Sequence, residues 1–247
     1  MTTTAVPDRG PVSVFSSMMG VGRLLSLCNV SLGSSLQYHP YIGPATITEV
    51  SSEGTQASAT KMTITANKMT PKTFTTTVDV SEIDLELPGF KDALTEAVIK
   101  SLTNAVEQEI AKVVHAAGGS TVRANAAAAM ATLIGSWIAL GDHIDPMDGV
   151  ILVARDQAGA FLNDFPVSGR NGNIYNLGGL PVWYGTGVTS EEGVIVSRSY
   201  VHVVFYGEPK VVYNPYSNPL LPSATGIANV GIAVVADCAK AFREAAS

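Results

Sequence analysis

Apolar side chains recur every three or four residues at Phe90, Leu94, Val98, Leu102, Val106, Ile110, Val113 and Ala117, the spacing of one helix face. Pro88 and Gly89 precede this stretch and Gly118-Gly119 follows it, so the pattern predicts one helix over Pro88–Gly119, roughly 40 Å long at the usual rise. Glu96 with Lys100 and Gln108 with Lys112 fall at i,i+4 on the opposite side, as expected of a solvated stripe. Ahead of the helix the period changes to two. Thr46–Thr77 holds 11 threonines, whose β-branching suits extended chain. Met62, Ile64 and Ala66 alternate with Lys61, Thr63 and Thr65, and Phe74, Thr76, Val78 and Val80 alternate with Thr73, Thr75, Thr77 and Asp79, which predicts strands with one mildly apolar and one polar face. Ser51, Ser52, Glu53 and Gly54 form the predicted tip of a hairpin with limbs Ile42–Val50 and Ser58–Ala66. So long an extended arm, running without a boundary into the longest helix, implies a surface outside the monomer for it to lie on.

The rest of the chain is mixed. Met1–Pro44 lacks a sustained period and is broken by Gly10-Pro11, Gly20, Gly22, Gly33, Pro40, Gly43 and Pro44, so it reads as an arm with short ordered pieces. Ala124–Gly141 is 18 residues without a charge; rich in alanine and containing Asn125, Thr132, Gly135 and Ser136, it is expected as a buried helix rather than a membrane span. Gly149–Ala154 is expected as a buried strand, Gln157–Asn163 as a short helix and Asp164–Gly179 as an exposed loop. Leu180–Tyr184, Val194–Val196, Val201–Tyr206 and Lys210–Tyr213 are further expected strands. Asn214–Pro222, with three prolines, is expected to be irregular, and the apolar run Ile227–Ala236 to lead into a polar tail. Without strand–helix alternation the class is α+β.

Composition sharpens this picture. Of 247 residues, 46% are hydrophobic and 15% charged, well below the ~25% charged of an ordinary soluble domain, which points to extensive subunit contact. A formal net charge of −6 excludes a protein whose main work is gripping phosphates. Cys28 and Cys238 are the two cysteines; their separation fits no metal spacing, and buried thiols or a single disulfide both remain open. The polar stretch Met1–Gly10 lacks the order of a secretory signal.

Three stretches in their order carry a resemblance: KMTITANKMTPKTFTTTVDVS (Lys61–Ser81) leading into the helix, GVILVARDQAGAFLN (Gly149–Asn163) and LGGLPVWYGTGV (Leu177–Val188). The chain resembles, over nearly its whole length, the major capsid proteins of tailed bacteriophages with the Hong Kong 97-like fold. The resemblance implies an N-terminal arm (1–44), an extended two-stranded loop (45–81), a peripheral domain with its spine helix (82–123), an axial domain (124–200) and strands returning to the peripheral domain with a C-terminal segment (201–247). It implies a structural subunit rather than an enzyme, assembling through hexamers and pentamers into an icosahedral shell around double-stranded DNA. Other copies of the chain would be the main partners, with scaffolding, portal and decoration proteins besides and no membrane. Assembly in the host cytoplasm and residence in the virion follow. Glu53, Gly54, Lys61, Lys68, Lys72, Phe74, Arg9 and Arg23 are the expected subunit-interface residues. Some relatives crosslink through a loop-tip lysine, but Glu49–Thr60 contains none, so no self-crosslinking is expected. A cellular nanocompartment shell of the same fold is the alternative.

Candidate chemistry is sparse. Asp142, His143, Asp145 and Asp148 in GDHIDPMDG could coordinate a divalent cation, but the plainer reading is a solvated turn started by Asp145-Pro146. An α+β hydrolase is the distant alternative and would need a serine brought to His143 or His202. No catalytic, cofactor or metal residue is nominated.

Overall fold

The computed structural model describes residues 12–33, 38–42, 64–79, 88–119, 122–123, 145–156, 169–171, 174–177, 180–190, 192–218, 221–235 and 238–244. The predicted helix, α2 (Phe90–Gly118), runs for 29 residues, about 43 Å. Gly89 before it takes φ +76°, a conformation open to glycine at no steric cost. Its buried row is Leu94, Val98, Leu102, Val106, Ile110 and Val114, flanked one position on by Ile99, Thr103, Glu107 and Ala111. The apolar stripe expected from the sequence holds as far as Ile110. It then continues to Val114 instead of Val113, because i+4 steps wind about 40° each around the helix and carry the buried row from the six-stranded sheet toward the second sheet.

A six-stranded sheet covers the first half of the helix. Its centre is a long hairpin. One limb is β12 (Val201–Tyr206) followed by β13 (Lys210–Asn218), and the other is the 14-residue β14 (Leu221–Val234). Val201 pairs with Val234 and Asn218 with Leu221, so both shorter strands lie along one edge of β14. The other edge carries β5 (Lys72–Asp79), from Val230↔Lys72 to Ser223↔Asp79. The proline-bearing stretch expected to be irregular is therefore mostly strand: the register shifts between Asn214 and Asn218, and an irregularity of this kind takes up Pro215 without breaking the ladder. Gly226 lies where β14 crosses α2. A Cβ there would come within 2.7 Å of Val98 Cγ1, so a residue without one lets sheet and helix close.

The stretch expected as part of an arm is built into this core. β1 (Val12–Ser13) pairs with β13, α1 (Phe15–Val21) lies on α2, and β2 (Asn29–Gly33) runs parallel to β12. Val14, Met18, Leu24 and Leu25 are at most 2% exposed. These apolar residues lack a period because the segment changes conformation every few residues, which a pattern search cannot follow.

The second half of α2 meets a seven-stranded sheet of order β6 (Val122–Arg123), β15 (Ala239–Glu244), β11 (Glu192–Ser197), β7 (Gly149–Ala154), β10 (Leu180–Gly185), β9 (Ile174–Leu177) and β8 (Gly169–Asn171). β7 is buried at every residue, as the GVILVA run predicts. Two expectations fail here. The loop 164–179 contains the paired strands β8 and β9, and most of the supposed polar tail is β15, whose Ala239 and Ala241 enter the core while Lys240 is only half-buried. β8 is short and polar, β9 is only four residues, and β15 opens by alternating Ala239 and Ala241 with Lys240, weak signals to which neighbouring strands give meaning. The helices expected over 124–141 and 157–163 lie outside the described residues. Among the described residues no helix is long and apolar enough to cross a membrane.

Candidate assembly surfaces

The six-stranded sheet has two unlike faces. Phe74 and Thr76 of β5, Val201, Val203 and Phe205 of β12, and Ala224, Ala228 and Val230 of β14 turn toward the helix and pack in or against the core. On the other face Thr73, Thr75 and Thr77 stand exposed. The Thr73 hydroxyl donates to Asn229 Oδ1 at 2.7 Å and Thr77 shares a 3.1 Å hydrogen bond with Thr225, so this face is a hydroxyl-and-amide ladder, the polar surface that the alternation predicts. At one end it changes character: Met69, 0% exposed, joins Val204 and Ala233 with Tyr206 beside them. Gly231 leaves the room, since a Cβ there would approach Met69 Cβ to 3.2 Å.

Met69 is the root of the extended ribbon. β3 (Tyr38–Ile42) and β4 (Ile64–Lys68) pair from Tyr38↔Lys68 to Ile42↔Ile64 and form a sheet of their own. The ribbon begins at Tyr38, earlier than the expected limb, and ends at Lys68. Pro40 had suggested a break, but in a two-stranded ribbon every strand is an edge and the missing N–H can face outward. The expected hairpin tip lies outside the described residues. A ribbon of two strands is marginal alone in water.

Of the nominated interface residues, Arg23, Lys68, Lys72 and Phe74 lie among the described residues. Lys72 makes an ion pair with Glu109 of α2 in its own chain, and Phe74 packs partly buried on the core; both have work inside the subunit. Lys68 ends β4, and Arg23 is exposed beside Leu24. Arg9, Glu53, Gly54 and Lys61 lie outside the described residues.

The acidic turn is built as a turn. Asp145 accepts the Met147 N–H at 2.9 Å. Asp148 accepts from Ser197 Oγ at 2.5 Å and Ser199 N at 2.9 Å, with Arg198 Nε 3.4 Å away. Burial opposes its ionisation, but these hydrogen bonds and the guanidinium outweigh burial and hold its carboxyl below the ordinary range. Asp142 and His143 lie outside the described residues, among which no group of acidic, His and Cys side chains is arranged to hold a metal. Cys28 and Cys238 are not joined in a disulfide, which decides between the two readings of the sequence. His202 sits on β12 opposite Ala233.

One buried carboxylate escaped the sequence reading. Glu107 of α2 is 7% exposed, and its Oε1 accepts the backbone N–H groups of Leu24 at 2.5 Å and Leu25 at 3.1 Å. The indole of Trp183 on β10 also donates to it. Burial raises its pKa, opposed by the bonds from Leu25, Leu24 and Trp183 and by the charge of Arg23. Burial, then the charge of Glu107, pushes the Cys28 thiol up to about 12. Within a run reading Val-Glu-Gln-Glu, nothing local distinguishes Glu107 from Glu109; only its place beside the apolar row, four residues after Thr103 and four before Ala111, hints at burial.

No family model and no curated protein sequence matches the chain. Solved structures do. A capsid of an empty GTA particle superposes with a TM-score of 0.68 at 14% identity, covering 100% of this chain and 95% of that one. The capsid of the cyanophage P-SCSP1u gives 0.64 at 14% identity, with 100% and 93% covered. A virus-like particle from Pyrococcus furiosus gives 0.64 at 7% identity, with 93% and 96% covered. The α+β fold expected from the sequence, Hong Kong 97-like with a long helix and a two-stranded ribbon, is the fold this chain has.

Proposed function

We propose that this chain is the major capsid protein of a tailed bacteriophage, a structural subunit that assembles through hexamers and pentamers into an icosahedral shell enclosing double-stranded DNA. The observation that carries the reading is the match to capsid subunits over the whole of this chain and 93–95% of theirs; a fold shared only in part would leave room for a different task. Two features of the subunit agree with it. The β3–β4 ribbon pairs only with itself among the described residues, so its stability has to come from packing on something else, and a neighbouring copy is the natural support. The hydroxyl ladder on the outer face of β5 and β14 offers such a support without the aggregation risk of an exposed apolar sheet.

In this reading Arg23, Lys68, Glu53, Gly54, Lys61 and Arg9 contact other subunits, while Lys72 and Phe74 position β5 for that contact. Scaffolding, portal and decoration proteins are further partners, assembly takes place in the host cytoplasm, and no reaction is assigned. The nanocompartment alternative is not favoured against the phage capsids named above.

Electron microscopy after size-exclusion chromatography tests this. Closed shells, tubes or five- and six-membered rings are expected, with nucleic acid inside particles made during infection. A chain that stays monomeric well above micromolar concentration, with or without candidate scaffold, would overturn the shell reading. Particles holding a co-purified enzyme instead of DNA would move it to the nanocompartment.

A further inference from the structure

The segment Val12–Gly33 lies across α2 as a strap, secured at its ends by β1 and β2 and in the middle by Glu107. Glu107 has unusual surroundings. Leu24 and Leu25, at 1% and 0% exposure, close over it, and Val106, Ile110 and Ala111 flank it on the helix. Two groups of the strap bear on its charge, the exposed Arg23 and the Cys28 thiol. On its own helix Thr103 and Ala111, and on β10 Trp183, bring no charge to it.

The two backbone donors share Oε1. A proton on Oε2 would leave both bonds in place, so the closed strap does not need the charge. Ionisation, by contrast, leaves a largely buried anion whose relief, from the hydrogen bonds of Leu25, Leu24 and Trp183 and the charge of Arg23, falls short of the cost of burial. Lifting the strap restores water to that anion.

We propose that Glu107 is a charge-loaded latch: the strap Val12–Gly33 comes away from α2 more readily when Glu107 is ionised than when it is neutral. The sign follows from linkage. The carboxyl pKa is raised in the closed form by burial, against the opposing bonds. Its contribution to closure is therefore complete below the pKa of an exposed carboxyl and is lost as pH rises through the closed-form value. The strap is firm in mild acid and looser toward neutral pH. Because the Trp183 indole shares the carboxylate, release of the strap also changes the surroundings of β10.

Hydrogen exchange of the peptide Gly22–Cys28 in the unassembled full-length chain, corrected for the intrinsic effect of pH, reads the latch directly. Protection should fall as pH rises from the range of an exposed carboxyl through the raised closed-form value, tenfold for each unit by which the closed-form pKa exceeds that of the open form. In Glu107→Gln, which keeps Oε1 and carries no charge, protection should match the acid value at every pH. A flat or rising wild-type profile, or an unchanged slope in Glu107→Gln, overturns the proposal. Should that variant not fold, the emission of Trp183 in a Trp137→Phe background supplies a second reading: it must shift with the same midpoint as the exchange, and a pH-independent spectrum overturns the latch.

Discussion

The strap and the ribbon both precede the long helix and are unlike as structure. The strap strings together short strands and a helix, whereas the ribbon is a two-stranded hairpin. The strap buries Val14, Met18, Leu24 and Leu25 in the main core, whereas the ribbon is rooted through Met69 in a separate cluster on the opposite face of the sheet. The difference lies in where a few large apolar side chains fall, since each fully buried one contributes about 1.5–3 kcal/mol. Four such residues make a segment part of a domain; one makes an attachment point.

Removing a strap residue should break the comparison most severely. Leu25→Ala is expected to cost about 2–5 kcal/mol, seen as an earlier midpoint in denaturant unfolding of the whole subunit. A loss below about 1 kcal/mol would mean that the strap, like the ribbon, is only attached. Met69→Ala should cost less, about 2 kcal/mol, because its cluster is small. It should raise proteolysis of the ribbon while leaving exchange in α2 unchanged; equal loosening of both would show that the ribbon belongs to the core.

A finer test uses Cys28, at the end of the strap. With its pKa pushed up to about 12 in the closed strap it holds almost no thiolate near pH 8 there, so native protein should be alkylated more slowly than unfolded protein, in proportion to the fraction of strap that is open. Rapid native reaction would show a strap that is open. The smallest effect is expected on the outer sheet face. Thr75→Ala should change subunit stability by under about 0.5 kcal/mol and register instead as slower or incomplete assembly in light scattering. Unimpaired assembly would remove this face from the proposed contact.

How much of this could be read from the sequence depended on whether one element held one period for long enough. The helix from Phe90 and the alternation through Phe74 were legible because each keeps a regular conformation over many residues while one side packs on the core, the helix across both sheets and β5 against the helix. The second half of β13, Asn214–Asn218, was hidden by Pro215, which says nothing about a register shift that accommodates proline. β15 was hidden because Ala239 and Ala241 are small and its burial is decided by α2, where a Cβ on Gly118 would meet the Ala241 backbone at 2.7 Å. The contacts that the nominated residues make inside the subunit were not legible. A sequence identifies Lys72 as a charge but not that Glu109, 37 positions later, takes it. Glu107 was lost for the opposite reason: its partners are backbone N–H groups, which every residue carries.

The close fits along α2 set how the two sheets can move. Val98 occupies the hollow at Gly226 in one sheet, and Gly187, beside the other, sits so near the helix that a Cβ would fall 2.1 Å from the Gln108 carbonyl oxygen. A shaft keyed at two points does not slide smoothly through its bearings. Displacement of either sheet along the rod must lift a side chain out of one notch and drop it into another, and successive turns lie about 5.4 Å apart. A subunit built this way changes shape by clicks rather than by degrees.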